Sequence, residues 1–315
     1  MKKLLTVFLS CALAIILLTL TACGATATDT TYAGNYEEVD AQTLYVSTRN
    51  VKNEINEVPT LESKAGINVN FNFTHKTETS DYTSIDKASV YGKIVFAIEE
   101  IDGVEQRKIF ANLTYVASNE TTIDGEKTNI TTTQKLYSDG ENFYSHLTQV
   151  ANGIEKPTKY ELKYKISYDT FLEALNEITA EMDDNQTSQV PTAENEFITF
   201  VNNLKTNAGY RFAMENGENE LKIKVDLADK DKFVEYNEDN GLCEEGFSLS
   251  VNKMEMFYVF DKEGNLIATK LANSTKQSSP YGNISISIDM DTRAYTGAVS
   301  LPSSFEGFTD VSLFD

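Results

Sequence analysis

Gly66-Ile67-Asn68-Val69-Asn70-Phe71-Asn72-Phe73-Thr74 (residues 66–74) is the stretch from which the fold is read. Ile67, Val69, Phe71 and Phe73 alternate strictly with Asn68, Asn70, Asn72 and Thr74. A period of two belongs to an extended chain that keeps one face dry and the other wet, so this is a strand. The same alternation returns far downstream, where Leu221, Ile223, Val225 and Leu227 flank Lys222, Lys224 and Asp226, and Ile284, Ile286, Ile288 and Met290 alternate with serines and an aspartate. A sheet covered on one side only accounts for all three.

Turn residues place the remaining strands. Residues 88–100 run to Asp102-Gly103, residues 106–117 return, and Asp124-Gly125 marks the next turn. Lys135–Tyr137 and Asn142–Leu147 flank Asp139-Gly140, and Lys159–Ser167 follows Asn152-Gly153. These intervals leave no room for crossover helices, which predicts an antiparallel meander. A second meander begins at Tyr210, Phe212 and Met214, turns at Asn216-Gly217, and continues through 247–260, a turn at 261–265, 266–272 and 284–290 to Val299, Leu301 and Pro302. Residues 228–246 form a charged insertion with room for a short helix around Lys232 to Tyr236.

Three amphipathic helices are expected. Asp40 caps the first, whose stripe is Leu44, Val51, Ile55 and Val58, ended by Pro59. Thr170 and Glu173 fit a capping box ahead of Phe171, Leu172, Leu175, Ile178 and Met182. After the polar break Asp183–Pro191, Thr192 caps the third, with Phe197, Ile198, Val201 and Leu204 as its stripe and Gly209 beyond its end. The expected fold is α+β: a large curved antiparallel sheet, an unclosed half-barrel, with these three helices covering its concave face.

The chain opens with MKKLLTVFLSCALAIILLTLTACG: two lysines, an apolar run, then Leu20-Thr21-Ala22-Cys23. The charged start and apolar run are the layout of a secretory signal. Leu20 to Cys23 resembles the lipobox of bacterial lipoproteins, which implies cleavage between Ala22 and Cys23 and a diacylglyceryl group on the Cys23 sulfur. An ordinary cleaved signal or an uncleaved anchor helix are the alternatives. The expected organisation is a signal peptide at 1–22, a lipidated cysteine with a flexible tether at 23–39, and a single domain at 40–315, or two sub-domains divided near 168. The expected location is extracytoplasmic, on the bacterial cell membrane, since two acyl chains suffice for stable attachment.

The 315 residues carry 27 Lys and Arg against 48 Asp and Glu, a formal charge of −21. Loss of Lys2 and Lys3 with the signal takes this to −23. Such a surface repels nucleic acid and anionic headgroups, so no nucleic-acid partner is expected and membrane contact rests on the lipid. With Cys11 removed and Cys23 lipidated, Cys243 stands alone in an acidic loop and reads as a bystander thiol. Internal disulfides are thereby excluded from the mature chain.

The order helix, meander, two helices, second meander behind a lipobox resembles the LolA/LolB superfamily of lipoprotein carriers and the related mycobacterial LppX and LprG lipoproteins. The likeness extends over roughly residues 40 to 310. It rests on Lys135-Leu-Tyr-Ser-Asp-Gly-Glu-Asn-Phe-Tyr144, Phe260-Asp-Lys-Glu-Gly-Asn-Leu-Ile267 and Val299-Ser-Leu-Pro302. It implies an unclosed barrel that holds acyl chains beneath its helices, and no catalytic residue.

Motifs for chemistry are sparse. HExxH and GxSxG are absent, and His75 and His146 are the two histidines. Either lines a cavity mouth or lies on the surface. The clusters Asp226-Asp229-Asp231, Asn237-Asp239 and Asp289-Asp291 lack the spacing of a calcium loop, so neither a metal nor another cofactor is expected. Seven Asn-x-Ser/Thr sequons, Asn72 among them, carry no glycan inference in a bacterial lipoprotein. Phe71, Phe73, Phe212 and Met214 lie on dry strand faces, as core or as the lining of an apolar cavity. The expected function is non-enzymatic: binding or carriage of a lipid or acyl chain, or alternatively an envelope interaction or sensory module with a filled core.

Overall fold

A computed structural model describes residues 32–51, 64–79, 82–101, 104–153, 157–168, 170–171, 193–240, 248–295 and 298–310. The expected signal and lipobox with Ala22 and Cys23, the stripe positions Ile55 and Val58, most of the second expected helix, Thr192 and Cys243 lie outside them. In chain order the elements are β1 (Glu37–Glu38), α1 (Ala41–Thr48), β2 (Lys64–Glu78), β3 (Tyr82–Ile101), β4 (Val104–Ile123), β5 (Glu126–Asp139), β6 (Asn142–Asn152) and β7 (Thr158–Ser167). There follow α2 (Glu194–Asn207), β8 (Tyr210–Asn216), β9 (Glu220–Leu227), α3 (Lys230–Asp239), β10 (Ser248–Asp261), β11 (Leu266–Ser279), β12 (Gly282–Tyr295) and β13 (Thr309–Asp310).

All thirteen strands belong to one open sheet, ordered β1-β8-β9-β10-β11-β12-β2-β3-β4-β5-β6-β7-β13. The two meanders meet where β12 pairs antiparallel with β2, from Gly282 opposite Thr77 to Tyr295 opposite Lys64. Every pairing is antiparallel except that of β13 with β7, so the sheet is mixed rather than purely antiparallel. Asp124-Gly125 forms the expected tight turn, with φ of 50° and 83°. At Gly92, with φ of +142°, a Cβ would lie 2.1 Å from the Asn112 carbonyl oxygen, so only glycine lets β3 and β4 approach there.

Helix ends follow local chemistry. The Asp40 side chain accepts from the Thr43 backbone N–H and caps α1, but α1 ends at Thr48 rather than running to Pro59. The residue before α2 is Ala193, whose side chain makes no cap, in place of the expected Thr192. Gly209, with φ of +67°, turns the chain from α2 into β8, as its place beyond the stripe predicts. The short helix of the insertion is α3, and the Asp229 side chain accepts from two backbone N–H groups at its start.

The described helices gather at one end of the sheet. Leu44 of α1 and Val201 of α2 pack on Phe212, Met214, Ile223, Val225 and Phe260. The expected cover of the concave face by three helices is not shown: α1 packs on α2, α2 contacts β8 and α3, and α3 contacts β10, while the second expected helix lies largely outside the described residues. A second cluster, Val90, Ile94, Ile109, Ala111 and Leu113, lies on β3 and β4 with Phe71, Phe143, Tyr168 and Met290 around it. There the Phe171 ring stacks on Phe143 at 3.9 Å between centroids.

The opposite face is not uniformly wet. Tyr32 and Tyr36 pack against Phe257 of β10, Lys222 donates to the Ala33 carbonyl, and β1 pairs with β8. The segment 32–39, expected as tether, is therefore part of the fold. Apolar and aromatic surface on Phe257, Val259 and Ala268 provides the burial that seats it. At the far end the C-terminal segment lies on the same face: Asn112 donates to the Ser300 carbonyl at 2.6 Å, and Phe305 stacks on Tyr144 at 3.7 Å between centroids.

Candidate ligand-binding site

The apolar face of β12 and β2–β6 changes character along the strands. Register places side chains in cross-strand rows, and one row runs Ile288, Phe71, Val90, Tyr115, Gln134 and Leu147. The next contains Ile286, Phe73, Ala88 and Ala117, where two small residues side by side leave a dip between larger neighbours. Beyond it Ile284, His75, Asp86 and Asn119 stand in register. Ile94 is 3% exposed and the His75 and Asp86 side chains 40% and 45%, although Ser84, one row beyond Asp86, is again buried.

The open end is a hydrogen-bonded polar rim. Asn119 donates to Asp86 Oδ1 at 2.6 Å, and Thr121 donates to Asn119 Oδ1 at 3.0 Å. His75 Nδ1 lies 3.9 Å from Asp86 Oδ2, and its Nε2 lies 3.4 Å from the Thr77 hydroxyl. The carboxylate, imidazole and hydroxyl thus stand in sequence, with separations longer than ordinary hydrogen bonds. Among the described residues, the strands β2 and β3 pair in ladders on both sides here.

The four predicted lining residues do not converge. Phe212 and Met214 are buried beneath α1 and α2, whereas Phe71 joins the second cluster and Phe73 sits half-buried beside Ala88. Four strands separate β8 from β2, so the pairs stand roughly 24 Å apart at one strand spacing per step. His146 faces away from His75, on the other side of the sheet, with its Nε2 2.8 Å from Glu161 Oε1. Residues of two of the acidic clusters take separate roles. Asp226 pairs with Arg211, Asp229 caps α3, and Asp291 is buried where the Tyr32 hydroxyl donates to it at 2.6 Å. Among the described residues no group of three His, Cys, Asp or Glu is placed to hold a metal.

Sequence reasoning overlooked the His75, Asp86, Asn119 and Thr121 network, although half of its signal was available. Asp86 and Asn119 are equidistant from Asp102-Gly103 in the sequence, so a tight turn there dictates their register. The turn between β2 and β3 contains no such pair, and the register of His75 with Asp86 was invisible.

No protein-family model matches the chain. No curated protein matches it either. Among solved structures, similarity is found to a β-barrel-like protein of a domain of unknown function, DUF1849, from Brucella abortus, 11% identical, over 74% of this chain and 98% of that one, with a TM-score of 0.17. The translocator domain of the autotransporter NalP from Neisseria meningitidis is 7% identical over 81% of this chain and 96% of its own, with a TM-score of 0.19. Scores of this size carry no structural argument.

Proposed function

We propose that the protein is an extracytoplasmic lipoprotein, anchored to the bacterial membrane through Cys23, that holds an apolar ligand such as a lipid or acyl chain against the dry face of its sheet. The observation that carries this reading is the gradient on that face. It passes from the buried cluster around Ile94, past the Ala88 and Ala117 dip, to the polar rim at His75, Asp86 and Asn119. An amphiphile matches such a gradient, with its tail along the strands and its headgroup at the rim. Ile94 and Asp86 are eight residues apart on β3, about 26 Å. That exceeds the roughly 15 Å occupied by the acyl chains of one leaflet. Phe171, at the start of the second expected helix, stacks on Phe143 of the same face. The role is one of binding, without catalysis.

Native mass spectrometry of a chain beginning at Gly24 tests the proposal, since that chain retains every described residue. Copurifying lipid is expected, and Ala117→Phe, which fills the dip, should reduce its occupancy several-fold. Repeated preparations of wild type free of any lipid would overturn the reading in favour of a filled core.

A further inference from the structure

The polar rim on the dry face discriminates between headgroups through the balance of its donors and acceptors. Both amide hydrogens of Asn119 are spent, one on Asp86 Oδ1 at 2.6 Å and one on the Ser84 hydroxyl at 3.4 Å. The Thr121 hydroxyl hydrogen is spent on Asn119 Oδ1. Ser84 is buried, so the network is anchored at its back, while the Asp86 side chain remains 45% exposed. What the network leaves over is Asp86 Oδ2. Among the described residues it accepts no hydrogen bond, since His75 Nδ1 stands 3.9 Å away, beyond hydrogen-bond reach. No cation answers that oxygen either. From the row of Ala88 and Ala117 outward, β12 and β2–β5 place Asp86 and Glu126 on this face without any lysine or arginine. Lys76, Lys87 and Lys127 alternate onto the opposite face.

We propose, resting on the reading of the dry face as a lipid site, that its rim selects an amphiphile whose headgroup carries a primary ammonium. An ammonium donates three hydrogen bonds and accepts none, so it is the complement of a carboxylate oxygen left without a donor. The neighbouring row offers the hydroxyl oxygens of Thr77 and Thr121 as further acceptors. A phosphate or carboxylate at the same place only accepts, and it meets an acidic rim whose amide donors are already engaged. The formal charge of −21 acts in the same direction against an anionic headgroup. A trimethylated ammonium keeps the positive charge but has no hydrogen to give to Asp86.

The test uses the chain beginning at Gly24, which retains every described residue. Phosphatidylethanolamine, phosphatidylcholine and phosphatidylglycerol with identical acyl chains are offered in equal amounts and counted on the protein by native mass spectrometry. Phosphatidylethanolamine is expected about tenfold above each of the other two, the size of one charge-assisted hydrogen bond. Asp86→Asn keeps the acceptor for Asn119 and removes the charge, so in that variant the preference should fall to within about twofold. Equal binding of all three by wild type, phosphatidylcholine or phosphatidylglycerol in first place, or a preference that survives Asp86→Asn would overturn this inference and leave the dry face a lipid site. A wild type that takes up none of the three would overturn both.

Discussion

Asp226 on β9 lies almost wholly out of solvent, yet it keeps its charge through its partners. Arg211 Nε and Nη2 donate to its two oxygens at 2.8 and 2.6 Å, and Lys224 Nζ lies 3.0 Å away. Burial alone would raise this carboxyl, but the hydrogen bonds from Arg211 and Lys224 outweigh it and hold Asp226 below the ordinary carboxylate range. A carboxyl depressed in the folded state contributes stability above its unfolded pKa of about 4, and loses it as pH falls through the folded value. Asp226→Asn should therefore cost about 1 to 2 kcal/mol at pH 7, the lower part of the range because the Arg211 side chain is 43% exposed and screened. Urea unfolding at pH 7 and again near pH 3 checks it, with the two proteins expected to converge in acid. An undiminished gap at low pH would assign the loss to packing. In the sequence Asp226, Asp229 and Asp231 read as one acidic cluster. Position on a strand or at a helix start separates them, and that depends on which residues lie across from each.

Among the elements, the C-terminal segment 298–310 accomplishes most with least regular structure. Phe305 stacks on Tyr144, Phe308 meets Tyr144 edge-on, and β13 adds to β7 at the sheet edge. Beneath it the Tyr144 hydroxyl donates to Asp139 at 2.8 Å, and its pKa is pushed up to about 12 by burial first and by Asp139 second. A phenol raised in this way stabilises the fold fully below its unfolded pKa of about 10, and that contribution is lost as pH climbs toward 12. Phe305→Ala should cost about 1 to 3 kcal/mol at pH 7 and bring the Tyr144 titration down toward 10, with the stability gap narrowing in alkali. Tyrosine-labelled NMR, with Tyr144→Phe assigning the signal, reads the shift. A Tyr144 titration that stays near 12 would mean that the segment is not what buries it. Legibility at this scale was uneven. The hairpin β4–β5 was readable from Asp124-Gly125, but the first half of β5, Glu126 to Gln134, was missed because its threonines and polar neighbours show no alternation of dry and wet residues.

For the molecule as a whole, the placement of Tyr32 against β10–β12 brings the fold close to the proposed anchor. Cys23 precedes Tyr32 by nine residues, so the two are at most about 30 Å apart along a fully extended chain. The tether once expected to run to residue 39 is shortened accordingly. Cys23→Ala should abolish fatty-acid labelling and lipoprotein-type cleavage, and leave the thermal unfolding of the folded domain unchanged, since nine positions of chain separate it from Tyr32. Metabolic labelling with membrane fractionation decides it. Label retained by Cys23→Ala, or wild type recovered soluble and unlabelled, would make residues 20–23 an ordinary signal end and the protein a freely secreted one.

Strand character, the Asp40 cap, the Gly209 turn and the tight turn at Asp124-Gly125 were settled by the sequence alone, because each depends on the residue's own side-chain period, φ or nearest backbone donor. Two features were decided only in the tertiary structure. The pairing of β12 with β2 joins residues more than 200 positions apart, and its register follows from merging two apolar faces rather than from any local preference. Likewise Tyr32 and Phe305 lie in polar stretches without a period, and the sheet itself supplies the surface that buries them.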